Sequence, residues 1–419
     1  MTPASFTTLF VSLLAFTTLT KVWLAWRHLT HVGRHRAAVP DAFVEHIAIE
    51  AHHKAADYTR AKTRLAIMGA FYEAVILVLL TLGGGIQWFA DLWMPRLSAP
   101  LTQGVAVIAS VLLFTSLLEV PFDLYRTFGI EARFGFNKIT PRLYVTDTLR
   151  SLFLGALFGL PLLYVVLWLM ERMGEGWWLY AWGVWVGFFL LLLFIYPTFI
   201  APLFNKFTPL QDQELKARIE ALLERCGFTS GGLFVMDGSR RSSHGNAYFT
   251  GFGKARRIVF FDTLLERLTP AEIEAVLAHE LGHFRRRHVI KRMAITFAMS
   301  LGLLWLLGQL MQAQWFYLGL GVQTPSTGLA LLLFFEVLPM STFLLHPLMS
   351  WLSRSHEFEA DAYAAEQTDP KDLTAALVKL YQDNAATLTP DPLYSTFYDS
   401  HPPALTRISH LITLQGENA

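Results

Sequence analysis

Seven apolar stretches constrain this chain more than any other feature. They run near 8–26, 65–83, 104–124, 151–170, 177–199, 293–313 and 328–352. A helix needs about 20 mostly apolar residues to cross a bilayer. Inside the hydrocarbon, its backbone polar groups must be paired within the segment or its bundle. The expected fold is therefore a mainly α membrane protein of seven transmembrane helices. Composition agrees: 53% of the 419 residues are hydrophobic and 16% are charged, against about 25% charged in soluble domains. The formal net charge is +1, which offers no basic surface for nucleic acid, so the expected large partner is the lipid bilayer. The single cysteine, Cys226, excludes an intramolecular disulfide framework and a cysteine-based metal site. The first stretch has no basic segment ahead of it and is followed by arginines, so it reads as a retained anchor and not a cleaved signal.

Loop charges give an orientation. Arg27, Arg34, Arg36, Lys54, Arg60, Lys62 and Arg64 crowd the first loop, and Arg126, Arg133, Lys138, Arg142 and Arg150 crowd the third. The alternate loops hold Arg96, Arg172 and, between 314 and 327, no cation. The positive-inside rule then places the N-terminus outside or in the lumen, with the long 200–292 segment and the tail in the cytoplasm. Lys21, Glu73, Glu119, Asp123 and Glu336 fall within the apolar stretches. Lys21 and Asp123 lie near boundaries, where Lys21 can snorkel. The three glutamates need a watery cavity or a paired cation.

The 201–292 segment reads as a small α+β unit. Helical periodicity covers 213–225 and ends at Gly227, and short strands are expected near 232–236 and 257–261. Thr269, Pro270 and Glu272 then fit the N-cap, first and third positions of a new helix. That helix carries HELGH, residues 279–283. His279 and His283, one turn apart, share a helical face and can hold one tetrahedral Zn²⁺. Glu280, next to the first histidine, is placed to take a proton from metal-activated water and later pass it to a leaving amine.

A second acidic helix follows the last span, with Glu357, Glu359 and Asp361. One carboxylate there can complete the metal site while another holds a ligand imidazole by its remaining N–H. Spacing leaves Glu357 and Glu359 both open as ligands; the i,i+4 relation to Asp361 favours Glu357. Spans six and seven form a hairpin that returns this helix to the face carrying HELGH, close to the membrane boundary. His288, after three arginines, reads as belonging to a basic juxtamembrane face, and His346 before Pro347 as a helix kink.

Long ordered segments carry a resemblance. They are PFDLYRTFGIEARFGFNK (121–138), IAPLFNKFTPL (200–210), GSRRSSHGNAYFTGFGKARRIVFFDTLL (238–265), AHELGHFRRRH (278–288), SRSHEFEADAYA (353–364), DNAATLTPDPLYS (383–395) and SHPPALTRI (400–408). With them the chain resembles, over nearly its whole length, the type I integral-membrane CAAX prenyl endopeptidases, which are zinc metalloproteases. The shorter bacterial heat-shock membrane proteases share the metal motifs but do not explain seven spans. The resemblance implies one Zn²⁺ on His279, His283 and Glu357, Asp361 as partner to a ligand histidine, and Glu280 as general base. It implies a substrate-binding strand edge at Asn246, Ala247 and Tyr248, and His401 and Arg407, in the His-Pro and Arg positions, as groups for the carbonyl oxyanion and backbone. It also implies a hydrated chamber enclosed by the helices.

The expected organisation is a membrane region over residues 1–200 with spans one to five, a cytoplasmic metallopeptidase region over 201–292, spans six and seven over 293–352, and a cytoplasmic C-terminal region over 353–419 with the third ligand. The expected activity is zinc-dependent endoproteolysis of a peptide or protein, C-terminally prenylated by resemblance. The short 314–327 loop and the absence of a lysine-rich signal at the GENA end fit a bacterial inner-membrane member, the endoplasmic reticulum being the eukaryotic counterpart. Membrane-protein quality control and a catalytically silent scaffold are the alternatives; the intact Glu280 argues against the scaffold.

Overall fold

The computed structural model describes residues 1–250 and 257–417. Seven helical segments are long and apolar enough to span a membrane. The first is α1 (Pro3–Arg34), packed along α2 (Ile49–Leu80). After the short α3 (Gly85–Trp93) come α4 (Pro100–Leu124), α5 (Pro141–Arg172) and α6 (Trp177–Ile195), with α7 (Ala201–Phe204) closing the fifth span. These helices form where apolar runs saturate the surface: Phe153, Phe194 and many leucines point outward, as lipid contact requires. Inside, Val107, Val111, Leu167, Leu307 and Leu333 belong to one membrane core. Gly104 and Gly328 let two spans nearly touch, since a Cβ on Gly328 would lie 2.6 Å from the Gly104 Cα.

The polar unit begins with β1 (Phe207–Pro209), α8 (Gln213–Arg225), β2 (Leu233–Met236), β3 (Ala247–Thr250) and β4 (Arg257–Phe261). The sheet order is β1-β2-β4-β3. β2 and β4 run parallel, and β1 and β3 pair antiparallel at the two edges. The sequence pattern anticipates β2 and β4, whose Ile258, Val259 and Phe260 are buried; β1 is too short to show a period of two. After α9 (Asp262–Leu265), α10 (Pro270–Arg285) starts at the expected capping box. Thr269 N–H donates to Glu272 Oε2 at 2.7 Å and Glu272 N–H to Thr269 Oγ1 at 3.4 Å.

The chain re-enters the bundle as α11 (His288–Leu310), turns through α12 (Gln314–Gly319) and returns as α13 (Thr327–Thr342). The seventh span, expected near 328–352 with a kink at His346-Pro347, is broken just before that pair. Pro339 lies inside α13, and a 3₁₀ turn at Phe343–Leu345 separates it from α14 (His346–Gln367). His346 starts α14, with its ring beside those of Phe343 and Tyr398. The chain ends in α15 (Pro370–Asp383), α16 (Pro392–Tyr398) and α17 (Ala404–Glu417). α10 packs on α8, α14 and α15, around a second core containing Ile219, Phe260, Leu277, Leu281 and Leu373. The loop after α4 and the start of α5 dock onto this unit: Asn137 bridges Ser242, and Asp147 of α5 pairs with Arg241 at 2.8 Å.

The intramembrane acids face a cavity of about 570 Å³ lined by Lys21, Glu73, Glu119, Asp123 and Glu336. Both expected solutions coexist there. Lys21 lies 3.6 Å from Glu73, and Arg126 lies 2.8 Å from Asp123.

Candidate metal centre and peptidase cleft

α10 and α14 meet at their smallest residues. A Cβ on Gly282 would stand 2.9 Å from the Ala360 Cα. This near-contact of backbones brings His279 and His283 of α10 against Glu357 and Asp361 of α14. The two Nε2 atoms face each other at 3.2 Å. Glu357 places Oε2 at 3.5 Å from His279 Nε2 and Oε1 at 3.4 Å from His283 Nε2. These three side chains offer ligand atoms all within 4.8 Å of one another, and they are the one such group among the described residues. Glu359 lies outside the group.

The donor set fits a divalent cation. The buried Oε2 of Glu357 makes no hydrogen bond of ordinary geometry, with His279 Nε2 and His401 Nε2 at 3.5 Å and Arg407 Nη1 at 3.7 Å, so its lone pairs stay available to a cation. Burial pushes His283 down to about 3, which keeps it in the neutral, ligating form. Burial and then Arg407 disfavour a charged His279, yet its bonds to Asp361 and Glu357 prevail and raise its pKa. The carboxylates therefore favour positive charge at this point.

Asp361 accepts from His279 Nδ1 at 2.8 Å, so Nε2 is left to face the cluster. It also accepts a bidentate pair from Arg407, with Nε and Nη2 each at 2.7 Å. Arg407 is buried, and its Nη1 lies 3.7 Å from Glu357 Oε2. Two of its nitrogens are thus committed to Asp361. His401 differs: its side chain is 61% exposed, and its Nε2 lies 3.5 Å from Glu357 Oε2. Its Nδ1 and Ser400 Oγ share a 3.0 Å hydrogen bond.

A cleft of about 390 Å³ opens over the cluster. It is lined by Gly245, Asn246, Ala247, His279, Glu280, Tyr381, Asn384, His401 and Arg407. Glu280 is partly buried, and that burial raises its carboxyl above the ordinary range. Asn246 and Ala247 line the cleft at the start of the edge strand β3. Tyr248 does not reach it; its ring packs edge-on to Phe261. The turn before β3 is held by His244, whose Nδ1 is 3.0 Å from Asn384 Oδ1 and whose ring stacks on Phe136 at 4.5 Å.

His288 is placed otherwise than expected. It does not belong to a basic exposed face: its side chain is 1% exposed and stacks on His356 at 4.0 Å. Its position after three arginines masks this, because the return toward His283 depends on the backbone at Arg287. Asn384 and Tyr381 also escape assignment by sequence pattern, although Asn384 falls within a motif that carries the resemblance.

Comparison with known proteins accounts for nearly all of the chain. Residues 28–206 match the family described as CAAX prenyl protease N-terminal, five membrane helices, and residues 209–415 match Peptidase family M48. CAAX prenyl protease 1 of Saccharomyces cerevisiae is 34% identical over 406 residues, covering 89% of this chain and 88% of that protein. The CAAX prenyl protease 1 homolog of Homo sapiens is 31% identical over 441 residues, covering 93% and 90%. The crystal structure of S. mikatae Ste24p matches with a TM-score of 0.91 at 30% identity, covering 97% of this chain and 99% of that one.

Proposed function

Because the chain belongs to peptidase family M48, we propose that His279, His283 and Glu357 hold one Zn²⁺ and that Glu280 is the general base of peptide-bond hydrolysis. The protein is a multi-pass membrane metallopeptidase, similar over most of its length to CAAX prenyl proteases, and acts on a peptide or protein substrate. The observation that carries the site assignment is the convergence of two imidazole Nε2 atoms on the buried Glu357 carboxylate, under a cleft that Glu280 lines.

Zn²⁺ held there supplies Lewis acidity, which acidifies water and polarises a carbonyl. The protein groups do the rest. The extended substrate adds its main chain to the free edge of β3 at Asn246, Ala247 and Tyr248, as in strand addition. Glu280 takes a proton from the attacking water and returns it to the leaving amine nitrogen. Its raised pKa suits both halves of that exchange. His401, exposed to the cleft, accepts from Ser400 at Nδ1 and turns Nε2–H toward the developing oxyanion. Arg407 supports this indirectly: it fixes Asp361, which fixes His279.

The substrate class is a C-terminally prenylated peptide, supported by the names of the relatives. The cation-rich first and third loops support a cytoplasmic cleft, with the N-terminus on the other side. The membrane is a bacterial inner membrane, a reading that rests on the short 314–327 loop. The chain divides functionally into a membrane region over residues 1–200, a metallopeptidase region over 201–292, the spanning hairpin over 293–352 and a C-terminal region over 353–419.

The test is cleavage of a farnesylated CAAX peptide by the purified protein in detergent, beside Glu280→Gln and a chelated sample. Cleavage that disappears in both controls supports the reading. A Zn²⁺-loaded wild type that cleaves unprenylated membrane proteins but not this peptide moves the substrate to quality control. Failure on both substrates overturns the enzymatic assignment.

A further inference from the structure

We propose that His288 and Glu359 form a positioning relay that orients His283 for the metal, so that each ligand histidine is held by a carboxylate of α14. For His279 the link is direct, from Nδ1 to Asp361 Oδ1 at 2.8 Å. For His283 it is extended by one imidazole. His283 Nδ1 lies 3.0 Å from His288 Nδ1, and His288 Nε2 lies 3.2 Å from Glu359 Oε2.

Only one proton arrangement satisfies this chain when His283 uses Nε2 as a ligand. His283 Nδ1–H donates to His288 Nδ1, and His288 Nε2–H donates to the Glu359 carboxylate. A neutral imidazole has one donor and one acceptor, so Glu359 sets the tautomer of His288, and His288 sets that of His283. A carboxylate acting through an imidazole also makes the ligand nitrogen more basic.

The fold supplies the geometry by two devices. Arg287 takes a left-handed conformation, φ 56° and ψ 35°, between α10 and α11. It reverses the chain and folds the first residue of α11 back beside His283. His356, one residue before Glu357, lies flat on the His288 ring at 4.0 Å with an 11° interplanar angle, which fixes the plane of that ring. Glu359 is also 3.8 Å from Lys291, so its outer side is held as well.

The inference rests on His283 being a metal ligand, and the experiment separates the two claims. Zn²⁺ affinity is measured by competition with a chromophoric chelator, using the full chain in detergent, for wild type, His283→Ala, His288→Phe, Glu359→Ala and the double variant His288→Phe/Glu359→Ala. Phenylalanine keeps the ring stack on His356 and removes both nitrogens. Each relay variant is expected to weaken Zn²⁺ binding by about 10–100-fold. The double variant is expected to be no weaker than the worse single one, because both changes break one chain. Unequal packing losses would instead add. Thermal unfolding of the metal-free proteins checks that all are folded. Affinities of His288→Phe and Glu359→Ala equal to wild type, or losses that add in the double variant, overturn the relay. Wild-type Zn²⁺ affinity in His283→Ala overturns the ligand assignment beneath it.

Discussion

The Cα of Ala360 sits where a side chain on Gly282 would have to go, 2.9 Å from the position of its Cβ. The histidines proposed as metal ligands flank Gly282 in sequence and Glu357 lies one turn before Ala360, so this contact sets the spacing of the cluster. Gly282→Ala should push α10 and α14 apart. Overpacking of this kind costs about 1–3 kcal/mol, and Zn²⁺ content should fall with it. Thermal unfolding and metal analysis of the purified variant check both. An unchanged metal content at wild-type stability would show that the helix contact does not set the ligand spacing.

Asp361 and Arg407 make a different prediction, because both are buried and joined by two 2.7 Å hydrogen bonds. Asp361→Ala leaves the Arg407 cation buried without its bidentate partner. Breaking one side of such a pair costs about 3–5 kcal/mol. The double variant Asp361→Ala/Arg407→Met should recover most of that stability, since neither charge remains. It should not recover Zn²⁺ affinity, because His279 Nδ1 still lacks its acceptor. Denaturation and chelator competition on the three variants separate the two effects.

These relationships are unequally legible in the sequence. The spans can be read because lipid demands uninterrupted apolar length, and HELGH because i,i+4 spacing on a capped helix is local geometry. The return of the second acidic helix follows from hairpin topology, which leaves Glu357 and Glu359 both open and only the i,i+4 relation to Asp361 to favour Glu357. The break at Phe343–Leu345 is legible as a kink at His346-Pro347, but apolar residues continue through it and blur its exact bounds. β1 spans three residues, too few for alternation to register. The burial of His288 cannot be read from sequence because it depends on one left-handed residue, Arg287, and a run of arginines gives no sign of that conformation. The resemblance marks β3 as a strand edge, but only the folded structure shows Asn246 and Ala247 lining the cleft and the Tyr248 ring packed on Phe261.

With Glu280 as the proposed general base, its ionisation should set the acid limb of the pH dependence. The carboxylate must be ionised to accept a proton from water, and burial raises its pKa. Activity should therefore fall as pH drops through a value above the usual glutamate pKa of about 4.3. The acid limb of kcat/KM against pH, measured with Zn²⁺ in excess so that metal loss does not contribute, reads this directly. A limb at or below the ordinary glutamate value would exclude Glu280 as the group responsible. Glu280→Gln should lose about 10²–10⁴-fold in kcat while binding Zn²⁺ like the wild type.

His401 and Arg407 both border the cleft, and their surroundings assign them different work. Arg407 is enclosed and spends two nitrogens on Asp361, whereas His401 is 61% exposed with Nε2 pointing into the centre. His401→Ala should lower kcat by about 10²–10³-fold, the cost of one oxyanion donor. KM, Zn²⁺ affinity and melting temperature should change little, because the side chain neither fills a core nor anchors a ligand. Arg407→Ala should instead depress stability and Zn²⁺ affinity together, since it strands Asp361. Steady-state kinetics with a cleavable peptide, beside chelator competition on both variants, distinguishes the two roles. If His401→Ala kept the wild-type kcat while Arg407→Lys, still charged and folded, lost it, the oxyanion role would pass to Arg407.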